Sequence, residues 1–335
     1  MKRRTFIGSS AAVGAASTIG FPYVSRAAGP MTLRFAHYVP VDHPANLAAK
    51  QFAERVESRT QGAIKITIFP NQQLGDPPQE CAQIRQGAID IGLPTQGQLD
   101  KYEKAFAAVV LPFAFSTRPQ AFRVLDTALS EWLTPLAAEQ GFITIRNWDY
   151  GFRNITNTVR PINTPDDVKG LKLRTPPEIQ IASSMEALGA IVTPISFAEL
   201  YLALSQHVVD GEENPIATIY FSKFYEVQKY LALTRHIYNN MILTVSAITW
   251  KKLTPQQQKI FHEEGRSAGD LMRNTMADQE EQQITKLGSM GMQITRPDTT
   301  PFKAKMGPAV QKIAGYAGQA NVDKFQGILK KVLSA

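Results

Sequence analysis

The chain has 335 residues, a formal net charge of +7 and one cysteine, Cys81. A single cysteine excludes a disulfide scaffold, and Cys81 lies on the apolar face of a predicted helix with Ile84 and Ala88, where a buried structural role is expected. The charges are interspersed and form no basic stripe with interleaved aromatic residues, so nothing in the sequence indicates a nucleic-acid partner.

The first 28 residues have the features of a signal peptide. Lys2, Arg3 and Arg4 precede a short apolar stretch of small residues, and Ala27 and Ala28 supply a small-residue cleavage site. The paired arginines favour the twin-arginine export route, although a Sec signal that carries two arginines remains open. Removal of residues 1 to 28 takes away four basic residues and no acid, which lowers the net charge from +7 to +3.

Strand-like runs alternate with amphipathic stretches along the rest of the chain. Strands are predicted at residues 32–37, 64–69, 89–93, 142–147, 171–174, 191–194, 231–234 and 241–249. Helices are predicted between them, for example at 45–60, 119–139 and 178–188. This order predicts α/β layers with largely parallel strands, and the length predicts two domains.

A long helix is predicted from Thr254 to about Met290. Thr254, Pro255 and Gln257 form a helix-start signature, and apolar residues recur at helical spacing as far as Leu287. At about 1.5 Å per residue, such a helix would be about 50 Å long, which is longer than one domain.

Two arginines lie where predicted strands meet loops. Arg174 ends the run Lys-Gly-Leu-Lys-Leu-Arg, and Arg153 lies in Tyr-Gly-Phe-Arg-Asn. A guanidinium can hold both oxygens of a carboxylate through parallel hydrogen bonds, so the pair is interpreted as an organic-acid clamp. The alternatives are a surface pair of Arg174 with Glu178 or Asp167, and a surface ion pair for Arg153.

The segment Asp-Gly-Glu-Glu-Asn-Pro at 210–215 is predicted to be a turn because of its glycine and proline. Asn214 could donate to a ligand carboxylate, or it could belong only to the turn. Asp210 and Glu213 are expected to hold the loop in place.

These motifs closely resemble one family. The matching segments are Thr-Pro-Asp-Asp-Val-Lys-Gly-Leu-Lys-Leu-Arg (164–174), Phe-Ala-Glu-Leu-Tyr (197–201), Val-Val-Asp-Gly-Glu-Glu-Asn-Pro (208–215) and Phe-Tyr-Glu-Val-Gln-Lys-Tyr-Leu (224–231). They are similar to the periplasmic solute-binding proteins of tripartite ATP-independent periplasmic (TRAP) transporters. The chain departs from the family at Glu212, where most members have glutamine.

The resemblance implies a two-lobe periplasmic-binding-protein fold of α/β class, with a hinge and a long domain-spanning helix. Lobe I is expected to comprise residues 29–151 and 240–280, and lobe II residues 152–239 and 281–335.

The resemblance also implies a set of substrate-binding residues in the interlobe cleft. They are Arg174, Arg153, Asn214, His236, Phe197, Trp148, His37, Asp76 and Thr95. The residues alone favour core positions for Phe197 and Trp148, and structural, hydrogen-bonded roles for His37 and His236.

The implied function is capture of a small organic acid in the periplasm and its delivery to the small and large TRAP membrane subunits. A monomer is expected. No enzymatic activity, cofactor or metal is expected, because the sequence contains no catalytic or metal-binding motif. The alternatives are a cofactor-bearing periplasmic oxidoreductase and a ligand-loaded sensor for a membrane kinase.

Overall fold

Residues 29–334, which the computed structural model describes, form one nine-stranded sheet flanked by helices. The predicted signal peptide at residues 1–28 lies outside the described residues. The strands are β1 (Met31–Ala36), β2 (Ile64–Phe69), β3 (Ile91–Gly92), β4 (Phe142–Asn157), β5 (Lys172–Thr175), β6 (Ile191–Pro194), β7 (Gly211–Pro215), β8 (Tyr230–Ser246) and β9 (Gln293–Thr295).

The strand order is β2-β1-β3-β8-β4-β7-β5-β6, with β9 beside β8. Pairing is parallel at both ends of the sheet and antiparallel in the middle, where β8 pairs with β3 and β4, and β4 with β7. Strand β9 also pairs parallel with β8, so five of the eight pairings are parallel, in agreement with the prediction of largely parallel strands. The long strands β4 and β8 run through both halves of the sheet and join them.

Thirteen α-helices pack on this sheet within the described residues. They are α1 (Pro44–Arg59), α2 (Pro77–Gln86), α3 (Ala105–Ala108), α4 (Arg118–Val124), α5 (Ser130–Glu139), α6 (Ile179–Ala187), α7 (Phe197–Ser205), α8 (Ile216–Phe221), α9 (Ala247–Trp250), α10 (Pro255–Ser289), α11 (Thr300–Ala304), α12 (Gly307–Ala317) and α13 (Gln319–Leu333). Short 3₁₀ turns occupy Gln96–Lys101, Pro165–Val168 and Phe224–Glu226, and a π-helical turn occupies Leu125–Leu129. None of the described helices is both long enough and apolar enough to cross a membrane.

The long helix is confirmed as α10, which has 35 residues. Its start is held by a capping box, in which the Thr254 hydroxyl accepts from the Gln257 N–H and the Gln257 side chain accepts from the Thr254 N–H. Gly265 and Gly269 lie against β4, where an added Cβ would be 2.7 Å from Ile145 and 2.8 Å from Trp148 respectively. These two glycines therefore allow α10 to approach β4 closely.

One predicted turn and one predicted interruption between strands are both part of strands in the structure. Residues 211–215 form β7 rather than a turn, because β4 and β5 bond to this segment on both sides. The strands predicted at 231–234 and 241–249 are one strand, β8, which continues through Arg235 at a φ of 47° and ends at Ser246. Pairing with β4 overrides the weak strand signal of the connecting residues.

A cluster of paired charges ties β4 and β8 to α4 and α10. Arg118 Nε donates to Asp149 Oδ2 at 2.7 Å, and the Tyr238 hydroxyl donates to the other Asp149 oxygen at 2.8 Å. Arg118 also donates to Glu280, which accepts from Arg235 Nη1 at 3.0 Å. These five residues are called the hinge cluster below, because β4 and β8 are the strands that join the two lobes.

The last two helices, α12 and α13, pack against helices that come before β4 in the chain, and α12 also packs against a helix that comes after it. Ile313 and Phe325 share a core with Phe106 and Phe115, and α12 also contacts α6. The lobe boundaries given above remain predictions.

Candidate functional site

A cavity lies between the two lobes of the sheet. Its lining includes Tyr38, Thr95, Gln98 and the prolines that begin α2. It also includes Tyr150, Arg153, Arg174, Glu178, Phe197 and Asn214, which come later in the chain. This cavity is called the cleft below. A concave site with apolar walls and a few converging polar groups is the usual form of a small-molecule site.

Arg174 lies at the end of β5 and is 1% exposed. Its Nε donates to the Ile195 carbonyl at 2.8 Å, and it forms no salt bridge with any described residue. The guanidinium lies 6.0 Å from the centre of the Phe197 ring. Burial lowers the pKa of Arg174 to about 10, so the side chain is still charged at neutral pH. The buried cation therefore retains hydrogen-bond donors for an anion.

Arg153 differs because most of its donors are already used. Its Nη2 donates to Glu213 Oε1 at 2.7 Å and to the Glu213 carbonyl at 2.7 Å, and Nε donates to Glu213 Oε2. Nη2 also donates to Asn214 Oδ1 at 3.2 Å. The predicted role of Glu213 as a residue that holds the local structure agrees with these contacts. Arg153 thus presents a charge that is largely compensated.

Glu212 lies behind this arrangement, where β5 and β7 pair Arg174 with Glu212. Its oxygens accept from Thr156 Oγ1 at 3.0 Å and from the Asn214 amide. Burial, and then the neighbouring Glu213 carboxylate, raise the pKa of Glu212 to about 7. The position is therefore a carboxyl group close to its titration point at neutral pH.

Glu178 reaches across the cleft from the start of α6. Its Oε1 accepts from Thr95 Oγ1 at 3.3 Å, and the two residues are 83 positions apart in the chain. An added Cβ at Gly97 would lie 2.1 Å from Glu178 Oε2, so a glycine is required beside this carboxyl group. Burial raises the pKa of Glu178 to about 7. A second contact across the cleft joins the Gln180 amide to Asp100 at 3.0 Å.

An aromatic wall closes another side of the cleft. The Tyr38 ring lies edge-on to Phe197 at 5.4 Å and to Tyr150 at 6.2 Å. The Tyr150 hydroxyl accepts from Thr218 Oγ1 at 2.9 Å. This wall supplies apolar contact for the carbon skeleton of a ligand.

Five of the nine predicted site residues line the cleft: Arg174, Arg153, Asn214, Phe197 and Thr95. The other four lie elsewhere. Their binding roles remain predictions, and the structure assigns each of them a local contact.

His236 lies behind Glu213, with Nε2 3.1 Å from Glu213 Oε2 and Nδ1 2.8 Å from Thr234 Oγ1. His37 is buried with Nε2 3.1 Å from Asn46 Oδ1, and burial lowers the pKa of His37 to about 4. Asp76 caps α2 by accepting from the Gln79 N–H at 3.0 Å.

Trp148 packs under α10 and donates to the Gly265 carbonyl at 3.0 Å. His236 contacts the Glu213 carboxylate, which in turn accepts from Arg153 of the cleft lining.

Glu178, Tyr38 and Tyr150 line the cleft although the sequence analysis did not select them. Glu178 follows Pro176 and Pro177 directly, and a charged residue after a strand-ending proline pair was the available signal. Tyr38 and Tyr150 are each next to a segment that was selected, and their aromatic type alone gave no reason to prefer them.

The described residues contain no group of three or more histidine, cysteine, aspartate or glutamate side chains that could hold a metal ion. Cys81 lines the cleft, but it is buried, and burial raises the pKa of its thiol well above the usual range. It therefore behaves as a small apolar residue.

The model of the family "bacterial extracellular solute-binding protein, family 7" matches residues 35–315. The sialic acid-binding periplasmic protein SiaP of Vibrio cholerae is 33% identical over 295 residues, which cover 88% of this chain and 92% of SiaP.

Two solved structures are similar over most of their length. The TRAP periplasmic solute-binding protein of Polaromonas sp. JS666, bound to D-erythronate, is 32% identical with a TM-score of 0.85, and the match covers 88% of this chain and 98% of that one. The corresponding protein of Sulfitobacter sp. NAS-14.1, with bound β-D-galacturonate, is 30% identical with a TM-score of 0.85, and the match covers 91% of this chain and all of that one.

Proposed function

Because this chain belongs to family 7 of the bacterial extracellular solute-binding proteins, the receptors of TRAP transporters, we propose that it binds a small organic acid in the cleft through Arg174. The ligand carboxylate accepts from the guanidinium, Asn214 and Arg153 border it, and Phe197 with Tyr38 covers the carbon skeleton. The similar proteins named above bind sialic acid, D-erythronate and β-D-galacturonate, which are all carboxylic acids.

The observation that carries the proposal is that Arg174 is buried and forms no salt bridge with a described residue. A buried charge costs several kcal/mol of desolvation unless a partner compensates it, and Arg174 has only a carbonyl as hydrogen-bond partner among the described residues. A ligand carboxylate supplies the missing anion and accepts the free donors at once.

Lobe closure accompanies binding in this proposal. Glu178 and Thr95 approach each other across the cleft, so an acid held by Arg174 is enclosed only when this contact is made. The closed form then presents the surface that the small and large membrane subunits bind. The family functions outside the cytoplasm, and the twin-arginine signal at residues 1–28 is proposed as the export route.

The oxidoreductase and sensor alternatives gain no support from the family model or from the relatives named above, which are solute-binding proteins. Export is tested by replacing Arg3 and Arg4 with lysine, which preserves charge. Retention of the precursor in the cytoplasm supports the twin-arginine route, whereas an unchanged periplasmic yield indicates a Sec signal.

Binding and closure are tested together on the purified mature protein. Thermal-shift screening of sugar acids, keto acids, aromatic acids and dicarboxylates should identify acids that raise the melting temperature without being converted. Small-angle scattering with a saturating concentration of such an acid should show a smaller radius of gyration than the free protein. Binding without any change in the distance distribution would contradict closure and indicate a preformed pocket.

A further inference from the structure

Glu178 is the cleft-lining carboxyl group that lacks a full set of partners. The residue is 4% exposed and follows the proline pair that leads from β5 into α6. Thr95 donates to Oε1, whereas Oε2 is buried and accepts no hydrogen bond from any described residue. By contrast, the carboxylates of Glu212 and Glu213 are bonded through both oxygens.

A buried acceptor without a donor costs free energy, and more so when it is charged. The missing donor cannot come from Gly97, which faces Oε2 with no side chain. Glu178 lines the cleft, so a ligand held there is the remaining group that can supply it. An uncharged hydroxyl and a protonated amine both have this ability, whereas a carboxylate has no proton to donate.

The surrounding charges argue against a second ligand carboxylate at this end of the cleft. Arg153 is the cation that acts most strongly on Glu178, and Glu213 already occupies its fork. The charges of Asp100 and Glu213 also act unfavourably on the Glu178 carboxylate, and they repel further negative charge. Arg174, which has free donors, is the group available for one carboxylate.

We propose that Glu178 is a specificity-determining residue that selects acids carrying a hydrogen-bond donor, a hydroxyl or an ammonium group, distal to the carboxylate on Arg174, and that it rejects acids with a second carboxylate there. This inference rests on the proposed binding of an organic acid in the cleft. It restricts the ligand to a hydroxylated or aminated monocarboxylate.

The test uses matched acids that differ at one end. For each chain length from three to six carbons, calorimetry at pH 8 compares the ω-hydroxy acid, the ω-amino acid, the unsubstituted monocarboxylate and the α,ω-dicarboxylate. D-erythronate and meso-tartrate form a further pair, in which a terminal hydroxymethyl group is replaced by a carboxylate. The wild-type protein should bind the best donor-bearing acid at least about 10-fold more tightly than its unsubstituted and dicarboxylate counterparts.

The Glu178→Gln variant separates the two kinds of donor. Glutamine retains an acceptor oxygen but has no charge, so affinity for a hydroxyl-bearing ligand should stay within about 3-fold, while an ammonium-bearing ligand should lose at least about 10-fold. Affinity for the dicarboxylate should rise at least about 5-fold, because the amide removes the repulsion. If the variant does not fold, the wild-type ranking alone decides the inference.

The outcomes distinguish this inference from the proposed function. Equal or tighter binding of the dicarboxylate by the wild-type protein, or unchanged ratios in Glu178→Gln, would overturn the role of Glu178 while leaving acid binding intact. If no acid binds the wild-type protein, the proposed function fails and the selection by Glu178 fails with it.

Discussion

The cleft and the hinge cluster are both rich in buried charge, yet they are organised differently. In the hinge cluster each acid is paired: Asp149 accepts from Arg118 and Tyr238, and Glu280 accepts from Arg118 and Arg235. In the cleft, Arg174 forms no salt bridge with a carboxylate of the described residues, although the charges of Glu212 and Glu213 act on it from a distance. The difference indicates that the charges of the hinge cluster are compensated within the protein, whereas Arg174 in the cleft requires a ligand carboxylate as a direct partner.

The strongest test of this contrast is Arg174→Lys. A lysine retains the charge but cannot form two parallel hydrogen bonds, so affinity for an organic acid should fall about 30- to 1000-fold, equivalent to roughly 2 to 4 kcal/mol. Stability of the free protein should change little. Calorimetry with an acid found in the screen measures the loss, and affinity within a few-fold of wild type would show that Arg174 does not hold the carboxylate.

The opposite result is expected in the hinge cluster for Arg118→Met. This change removes the partner of the fully buried Asp149 and leaves its charge uncompensated, which should lower the free energy of unfolding by about 3 kcal/mol. Affinity per folded molecule should remain within a few-fold. Urea denaturation followed by circular dichroism measures the effect, and unchanged stability would remove the proposed distinction between the two regions.

A third effect, which depends on pH, is expected for Glu212→Gln. Glu213, Asn214, Thr156, Arg153 and Arg174 surround this carboxyl group.

The pKa of Glu212 is about 7 in the folded protein and has a reference value of 4.5. Between these values the folded state holds a proton that the unfolded state lacks, so the contribution of Glu212 to stability decreases as pH rises and is fully unfavourable above pH 7. The variant should therefore be more stable than the wild type at pH 8, by up to about 3 kcal/mol, and lose that advantage near pH 4.5. Melting temperatures at both pH values test this, and an equal difference at both would exclude titration of Glu212 as the cause.

The sequence was sufficient where the signal is local. The residues of β2 and β6 matched the predicted ranges, and the Thr254 capping box located the start of α10. Arg174 was found through the run that forms β5.

The sequence failed where distant residues decide the outcome. Gly211 begins β7, a strand of low intrinsic β-propensity that forms because β4 pairs with it. A Cβ at Gly211 would lie 2.0 Å from the Thr156 carbonyl oxygen, so a glycine is required for this close approach. The filled fork of Arg153 and the contact of Glu178 with Thr95 likewise depend on residues 60 and 83 positions away.

The pairing of β3 with β8 has a consequence for biosynthesis. Ile91 of β3 pairs with Val245 of β8 in the sheet. In the core of the same lobe, the Phe52 ring packs edge-on against Phe261 of α10. The amino-terminal lobe therefore cannot assemble as a finished unit while the ribosome is still translating the middle of the chain. The unpaired edge of β3 and part of the apolar core stay exposed until β8 and α10 have been synthesised. This protein should therefore need more protection from aggregation during synthesis than a protein whose first domain is contiguous in sequence.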